Sequence, residues 1–291
     1  MRLSKAKTQE ILQELYGVNV SMGAITQCEK RMSKALYPAL EHATDVIRAS
    51  ALAHVDESTW RTCGVLRWLW TLGSGPLSVF RITETRKKEH AQALLEDFGG
   101  LLHSDRYGGY LFYDTKKRQV CWAHIHREVR AIAQFQTQGT RIAKRLDKHI
   151  TAMFTQWGRI RDGTLPEPQQ TFVMNGIQER IEAELERGQC SASKRLRTLC
   201  KGLLKLRAAL WTYRRIPGAE PTNNRAERDL RHAVLWRSSS HGTQSKNGER
   251  YVECMLSVNA SLRAQNRSIF DFLHQSLEAF LWGKNQPLLT P

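Results

Sequence analysis

Ala51-Leu-Ala-His-Val-Asp-Glu-Ser-Thr-Trp60 is where the sequence stops reading as helix. Upstream of it, apolar residues recur at helical spacing. From Ala51 onward come short runs of Val, Leu, Trp, Phe and Thr, residue types that suit a pleated, half-buried surface. Val65–Leu72 and Leu77–Thr83 continue the pattern, separated by Thr-Cys-Gly and Gly-Ser-Gly-Pro turns. Three consecutive antiparallel strands are predicted. Arg86–Phe98 returns to helical spacing, with Ala91, Leu94, Leu95 and Phe98 on one face and Gly99-Gly100 closing it. Leu101–Asp105 is short and apolar, as a buried parallel strand would be. Gly108-Gly-Tyr110 starts a compact turn or helix, and Arg118–Trp122 reads as a fifth strand.

Three strands in a meander, a helix, a strand, a helix and a strand is the order of a ribonuclease H-like fold. The expected class is therefore α/β: a mixed five-stranded sheet with a helical insertion and helical flanks. In the flank at 1–50, one helix carries Ile11, Leu12, Leu15 and Tyr16 and ends at Gly17. A second, capped by Ser21, runs through Ile25, Cys28, Met32 and Leu36. This outline fits a helix-turn-helix or a plain helical hairpin. The core's first part spans 51–124. No strand is found from Ile125 to Arg215, where helical patterns are broken once, at Asp162-Gly-Thr-Leu-Pro-Glu-Pro168. That stretch is assigned as a basic insertion at 125–215. The last part of the core, 216–291, starts a helix at Pro221-Thr-Asn-Asn, whose Thr/Asn cluster reads as its cap. Two further helices follow, Glu249–Ala264 and Ser268–Trp282.

The chain holds 291 residues, 41% hydrophobic and 25% charged, a globular composition. Its 44 basic residues exceed 28 acidic ones, for a formal charge of +16, which points to a polyanionic partner, nucleic acid above all. No apolar run approaches the roughly 18 residues of a membrane span, and no apolar segment follows the basic N-terminus as in a secretory signal. Six cysteines without a framework spacing or a Cys-x-x-Cys pair read as reduced thiols of a cytosolic protein. Between Glu186 and Glu220 the sequence has Arg187, Lys194, Arg195, Arg197, Lys201, Lys205, Arg207, Arg214 and Arg215 with no acid. A solvated face is the plain explanation. Interleaved with Leu196, Leu199, Leu203, Leu206 and Trp211, the run also fits a helix that tracks phosphates. Arg225, Arg228, Arg231, Arg237 and Lys246 are further candidates for DNA contacts, the last two at the ends of a Ser- and Gly-rich loop.

Three acids stand out by type and context. Asp56 lies on the first strand, Asp105 at the end of the fourth, and Glu227 in the first turns of the helix after Pro221. On its own, Glu227 among Arg225, Arg228 and Arg231 reads as a surface ion-pair network. In a ribonuclease H-like sheet, however, the first strand lies beside the fourth. The two aspartates can then share a cation, and the glutamate can hold a second. Phosphodiester chemistry with two magnesium ions, manganese substituting, uses such a set of hard oxygen donors. Glu57 should point to the opposite face. Asp97 and Asp114 read as surface acids. Cys121-Trp-Ala-His124, at the end of the fifth strand, allows three readings. It is half of a zinc site completed by Cys190 or Cys200, a buried Cys with a hydrogen-bonded core His, or a strand-end His124 facing the scissile phosphate.

These segments resemble a known family. His-Val-Asp-Glu-x-x-Trp, Ser-Asp-Arg-Tyr-Gly-Gly-Tyr, Cys-Trp-Ala-His-x-x-Arg and Pro-Thr-Asn-Asn-Arg-Ala-Glu-Arg-Asp-Leu-Arg look like the DDE transposases of the insertion sequence 66 family. The likeness runs on through Trp236-Arg-x-x-x-x-Gly-Thr-x-Ser-x-x-Gly248 and Ser268-Ile-Phe-Asp-Phe-Leu, covering roughly residues 15 to 280. It implies Asp56, Asp105 and Glu227 as an acidic triad, Cys121 and His124 as the family's Cys-x-x-His element, and a helical insertion before Glu227. It also implies double-stranded DNA, element ends and target, as substrate, and a homodimer in a synaptic complex. Members of that family carry an upstream Cys-rich zinc-binding region, and this sequence starts near its end. Two functions are therefore expected, a transposase that hydrolyses and joins DNA, or a shortened, non-catalytic DNA-binding regulator or remnant of one.

Overall fold

Two residues with positive φ, Cys63 at 51° and Gly64 at 76°, fold the chain back on itself between the first two strands. Their mirror-image turn matches the right-handed twist of the strands it joins. β1 (Leu52–Thr62), β2 (Val65–Ser74) and β3 (Leu77–Thr83) form the expected antiparallel meander. In this computed structural model, which describes residues 3–135 and 139–291, β4 (Leu101–Ser104) lies parallel to β1, with Leu52, Ala53 and His54 opposite Leu101, Leu102 and His103. With β5 (Arg118–Val120) the mixed sheet has the order β3-β2-β1-β4-β5. The α/β class and the five strands are as expected.

The chain divides into two compact units, one comprising residues up to Tyr113 together with Asn223–Pro291, the other Asp114–Thr222. In the first, α1 (Lys5–Tyr16) and α2 (Met22–Arg48) precede the meander, α3 (Lys88–Leu95) follows it, and later helices return to the sheet. Val55, Leu72, Val79 and Leu102 of the sheet pack with Leu40, Ile47 and Leu95 of the helices in one apolar core. Serine caps begin α1 and α2, the Ser4 and Ser21 hydroxyls accepting from Lys7 N and Ala24 N. α3 is shorter than its pattern, because Glu96 takes φ 45° and stops it.

In the second unit α4 (Trp122–Ala133), α5 (Thr140–Arg161), α6 (Glu167–Gly188), α7 (Lys194–Lys205) and the single turn α8 (Arg207–Leu210) follow β5. The fifth strand ends two residues earlier than expected. Trp122 starts a helix instead, its buried indole donating to Leu210 O at 2.7 Å. The helical block is also broken more often than its sequence pattern indicates, between α4 and α5 and between α6 and α7 as well as at Asp162.

α9 (Asn224–Ser240), α10 (Lys246–Ala264) and α11 (Ile269–Trp282) complete the first unit. α10 covers the outer edge of β3. Glu253, Ser257 and Ser261, one turn apart, accept from Ile82 N (2.6 Å), Phe80 N (2.9 Å) and Ser78 N (3.0 Å). Side chains thus satisfy the N–H groups that a further strand would otherwise take. Among the described residues no helix is long and apolar enough to cross a membrane.

Candidate acidic site

Period-two alternation sorts β1 into two faces. Ser58 and Trp60 meet α9, Ser58 through Arg237 and Trp60 in a cluster with Leu230 and Ala233. His54 and Asp56 belong to that same face. His54 Nδ1 lies 2.9 Å from Asn223 Oδ1, in the residue that precedes α9. Because β4 is parallel to β1 and in register at His54–His103, the two acids sit at matching positions, Asp56 and Asp105 each two residues further on. The histidine rings stack at 4.4 Å and 20°.

Asp56 is buried and its Oδ1 accepts from Glu57 N at 2.9 Å. Burial pushes its carboxyl up to about 8, and the negative charges of Glu57, Asp105 and Glu227 push the same way. So the charges of both other acids predicted for the site reach Asp56. Asp105 folds into a local turn, its Oδ1 accepting from Tyr107 N at 2.8 Å, and Arg86 Nη2 lies 3.7 Å from its Oδ2. Glu227 is half-buried in the first turn of α9, where a carboxylate also suits the positive end of the helix dipole. His54 is lowered to about 4, chiefly by burial, which leaves its ring neutral.

Glu57 does turn to the other face, as alternation requires. Its side chain is fully enclosed, bound by Arg86 and by the Tyr110 hydroxyl. Burial raises its pKa, with the charge of Asp105 acting in the same sense. Arg86 itself rests on the Tyr107 and Trp68 rings, 3.8 and 4.9 Å from their centroids. Arg86 was missed in the sequence because nothing in an Arg-Lys-Lys run marks the one cation that folds inward. Asp97 and Asp114 are exposed, in keeping with surface roles.

The Pro221 cluster caps α9 differently from the expectation. Asn223 makes no side-chain capping bond; its amide is fully buried, with Nδ2 donating to Val55 O at 2.8 Å. Of the basic residues on α9, Arg228 and Arg231 are exposed. Arg225 instead donates to the carbonyls of Gly75 and Leu77. It fits there because Gly73 has no side chain; a Cβ would come 3.1 Å from the guanidinium. Arg237 is likewise turned onto Ser58 and Thr59 of β1.

A family model described as transposase IS66 family matches residues 4–251. The chain belongs to that family. A comparison with curated proteins gives no match.

In this transposase-family chain Lys246 is exposed at the start of α10 in the first unit, and the second unit carries the remaining predicted residues. Lys194, Arg195, Lys201 and Lys205 form the exposed face of α7, opposite buried Leu196, Leu199 and Leu203; Arg197 is half-buried and donates to Ser191 O at 2.6 Å. The basic run is not without counter-charge once folded. Glu184 of α6 pairs with Arg187 at 2.6 Å, and Glu182 pairs with Arg207. His124 stands in the first turn of α4 rather than at a strand end, after buried Cys121. Neither Cys190 nor Cys200 joins Cys121 and His124 in a metal-holding group among the described residues. Cys200 is a core thiol, pushed up to about 12 by burial.

Proposed function

We propose that this chain is the catalytic unit of a DNA transposase with a ribonuclease H-like core, in which Asp56, Asp105 and Glu227 form the acidic triad of a phosphodiester hydrolase and strand transferase. What supports this reading is the parallel register of β1 and β4, which brings buried Asp56 and the residue just past β4, Asp105, to corresponding positions, with the charges of Asp105 and Glu227 both acting on Asp56. Carboxylates pressed together at this depth are costly unless a cation joins them. The donor set fits the family's divalent metal, since it is made of hard carboxylate oxygens, the preferred partners of magnesium, with manganese able to substitute. Two such ions, when bound, would stabilise the charge on the attacking and leaving oxygens of an in-line displacement.

The chain's own residues do the rest. In this reading β1 supplies Asp56, the chain just past β4 supplies Asp105, and the first turn of α9 supplies Glu227. Exposed Arg228 and Arg231, with Lys246 at the start of α10, supply positive charge for the phosphates of bound duplex DNA. The α7 face with Lys194, Arg195, Lys201 and Lys205 supplies more. For His124 we keep hydrogen-bond donation toward a phosphate oxygen. In the first step water attacks the phosphodiester at the element end and a 3′-hydroxyl leaves. In the second that hydroxyl attacks target DNA and the target's own 3′-oxygen leaves. Processing two ends calls for a homodimer.

Strand transfer on a labelled, pre-cleaved element end tests the reading. Asp56→Ala, Asp105→Ala and Glu227→Ala should each lower the rate at least about a thousandfold while nonspecific DNA binding stays within about twofold. Full activity in any of the three would remove that residue from the triad. Binding without strand transfer by the unaltered chain would leave a DNA-binding regulator.

A further inference from the structure

We propose that Asn223 is a positioning residue: by bonding His54 and the Val55 carbonyl it clamps the first turn of α9, and with it Glu227, onto β1, the strand that carries Asp56. Helix-preceding asparagines ordinarily turn their side chain onto their own helix. This one is 0% exposed and reaches across to the strand instead. Its two amide ends are engaged in opposite senses. Nδ2 donates to Val55 O at 2.8 Å, which leaves Oδ1 to accept from His54 Nδ1 at 2.9 Å. The two bonds flank Asp56 on its N-terminal side, the carbonyl belonging to the preceding residue.

The same residue governs where α9 begins. Glu227 is one turn on, and its N–H bonds back to Asn223 O at 3.3 Å. A shift of Asn223 therefore moves Glu227 almost rigidly. His54 cannot yield easily either, since its ring is stacked on buried His103 at 4.4 Å. Asn223, His54 and His103 thus form one chain of contacts from the start of α9 through β1 to β4, the elements that bear Glu227 and Asp56 and the strand that leads into Asp105. Ala or Ser could not span the gap, and Asp would lose the donor to Val55 O. The inference rests on the proposed acidic site for its purpose, and on hydrogen bonds alone for the clamp.

The full-length chain carrying Asn223→Ala is compared with wild type in two measurements. In hydrogen exchange, amides of Glu227–Leu230 should exchange at least about tenfold faster, while those of Val234–Arg237 in the same helix stay within about threefold. In manganese binding without DNA, read by electron paramagnetic resonance, affinity should fall about 10- to 100-fold, as for loss of a residue that orients a ligand. Adding Asn223→Ala to Glu227→Ala should weaken manganese binding no further. Uniformly faster exchange along α9, or an unchanged first turn, would overturn the clamp, as would equal weakening in both backgrounds. Should Glu227→Ala alone leave manganese affinity at the wild-type level, the cation site falls, and the exchange pattern still decides for or against Asn223. If Asn223→Ala does not fold, His54→Phe keeps the ring on His103, deletes the bond to Asn223, and carries the same readouts.

Discussion

At Asp56 the carboxyl is shut in by the sheet, and the acids around it add repulsion to the cost of burial. Its folded pKa, about 8, lies far above the 3.8 of the free side chain, so between those values the folded chain binds the extra proton. Stability from this group is therefore greatest below about pH 4 and is lost as the pH rises through 8. Asp56→Asn removes that penalty. In a chelator at pH 8 it should stabilise the fold by up to roughly 5 kcal/mol, and at pH 4 the difference should vanish, both read from urea unfolding. Added magnesium should raise the melting temperature of wild type and leave the variant unmoved. An Asp56→Asn chain less stable than wild type at pH 8 would mean that the crowding of acids is already neutralised by other means. Arg225 and Arg237 teach the converse at this scale. Both are arginines on a basic helix, yet their guanidinium groups bond strand and turn oxygens, so their loss should unfasten α9 rather than weaken DNA binding alone.

Among the elements, α9 depends on how it leaves the sheet as much as on how it enters. Gly242, at φ 100°, comes just after its cap His241, and Thr243 then bonds the end of β1, Thr243 N donating to Arg61 O at 2.9 Å and Cys63 N to Thr243 O at 2.8 Å. A Cβ on Gly242 would lie 2.1 Å from Arg61 O. Gly242→Ala combines a forbidden backbone with a collision against main chain. It should cost roughly 2–4 kcal/mol and open the β1 end to hydrogen exchange. A chain that tolerates it within about 0.5 kcal/mol, a bound set by ordinary surface substitutions, would show that this strap is dispensable. At the β3 edge, Ser257→Ala with Ser261→Ala leaves the Phe80 and Ser78 N–H groups unsatisfied, for about 1–3 kcal/mol each by denaturant unfolding.

For the molecule as a whole, the excess of 44 basic over 28 acidic residues predicts DNA affinity that falls steeply with salt. Replacing Lys194, Arg195, Lys201 and Lys205 by Gln should lower the slope of log affinity against log salt by about one for each phosphate no longer neutralised. An unchanged slope would make the α7 face a solvated surface and nothing more. The chain order of strands and helices was legible because period two and period 3.6 are local properties, set by neighbours a few residues away. The meander, the parallel fourth strand and the types of the three acids follow from it, and so does the turn of Glu57 away from Asp56. What lay beyond reach of sequence reasoning depends on partners far along the chain. Asn223 reads as a cap until His54, 169 residues away, offers it a better bond. Arg207 reads as unopposed until Glu182 is folded beside it, and Arg86 as one cation of three until the fold turns it onto Glu57. His124 reads as the end of a strand until Trp122 finds Leu210 O and starts a helix. Periodicity could say which element each residue belongs to; only the packing of elements could say which polar atoms would meet, because desolvation and hydrogen bonding act on whatever the fold brings within about 3 Å.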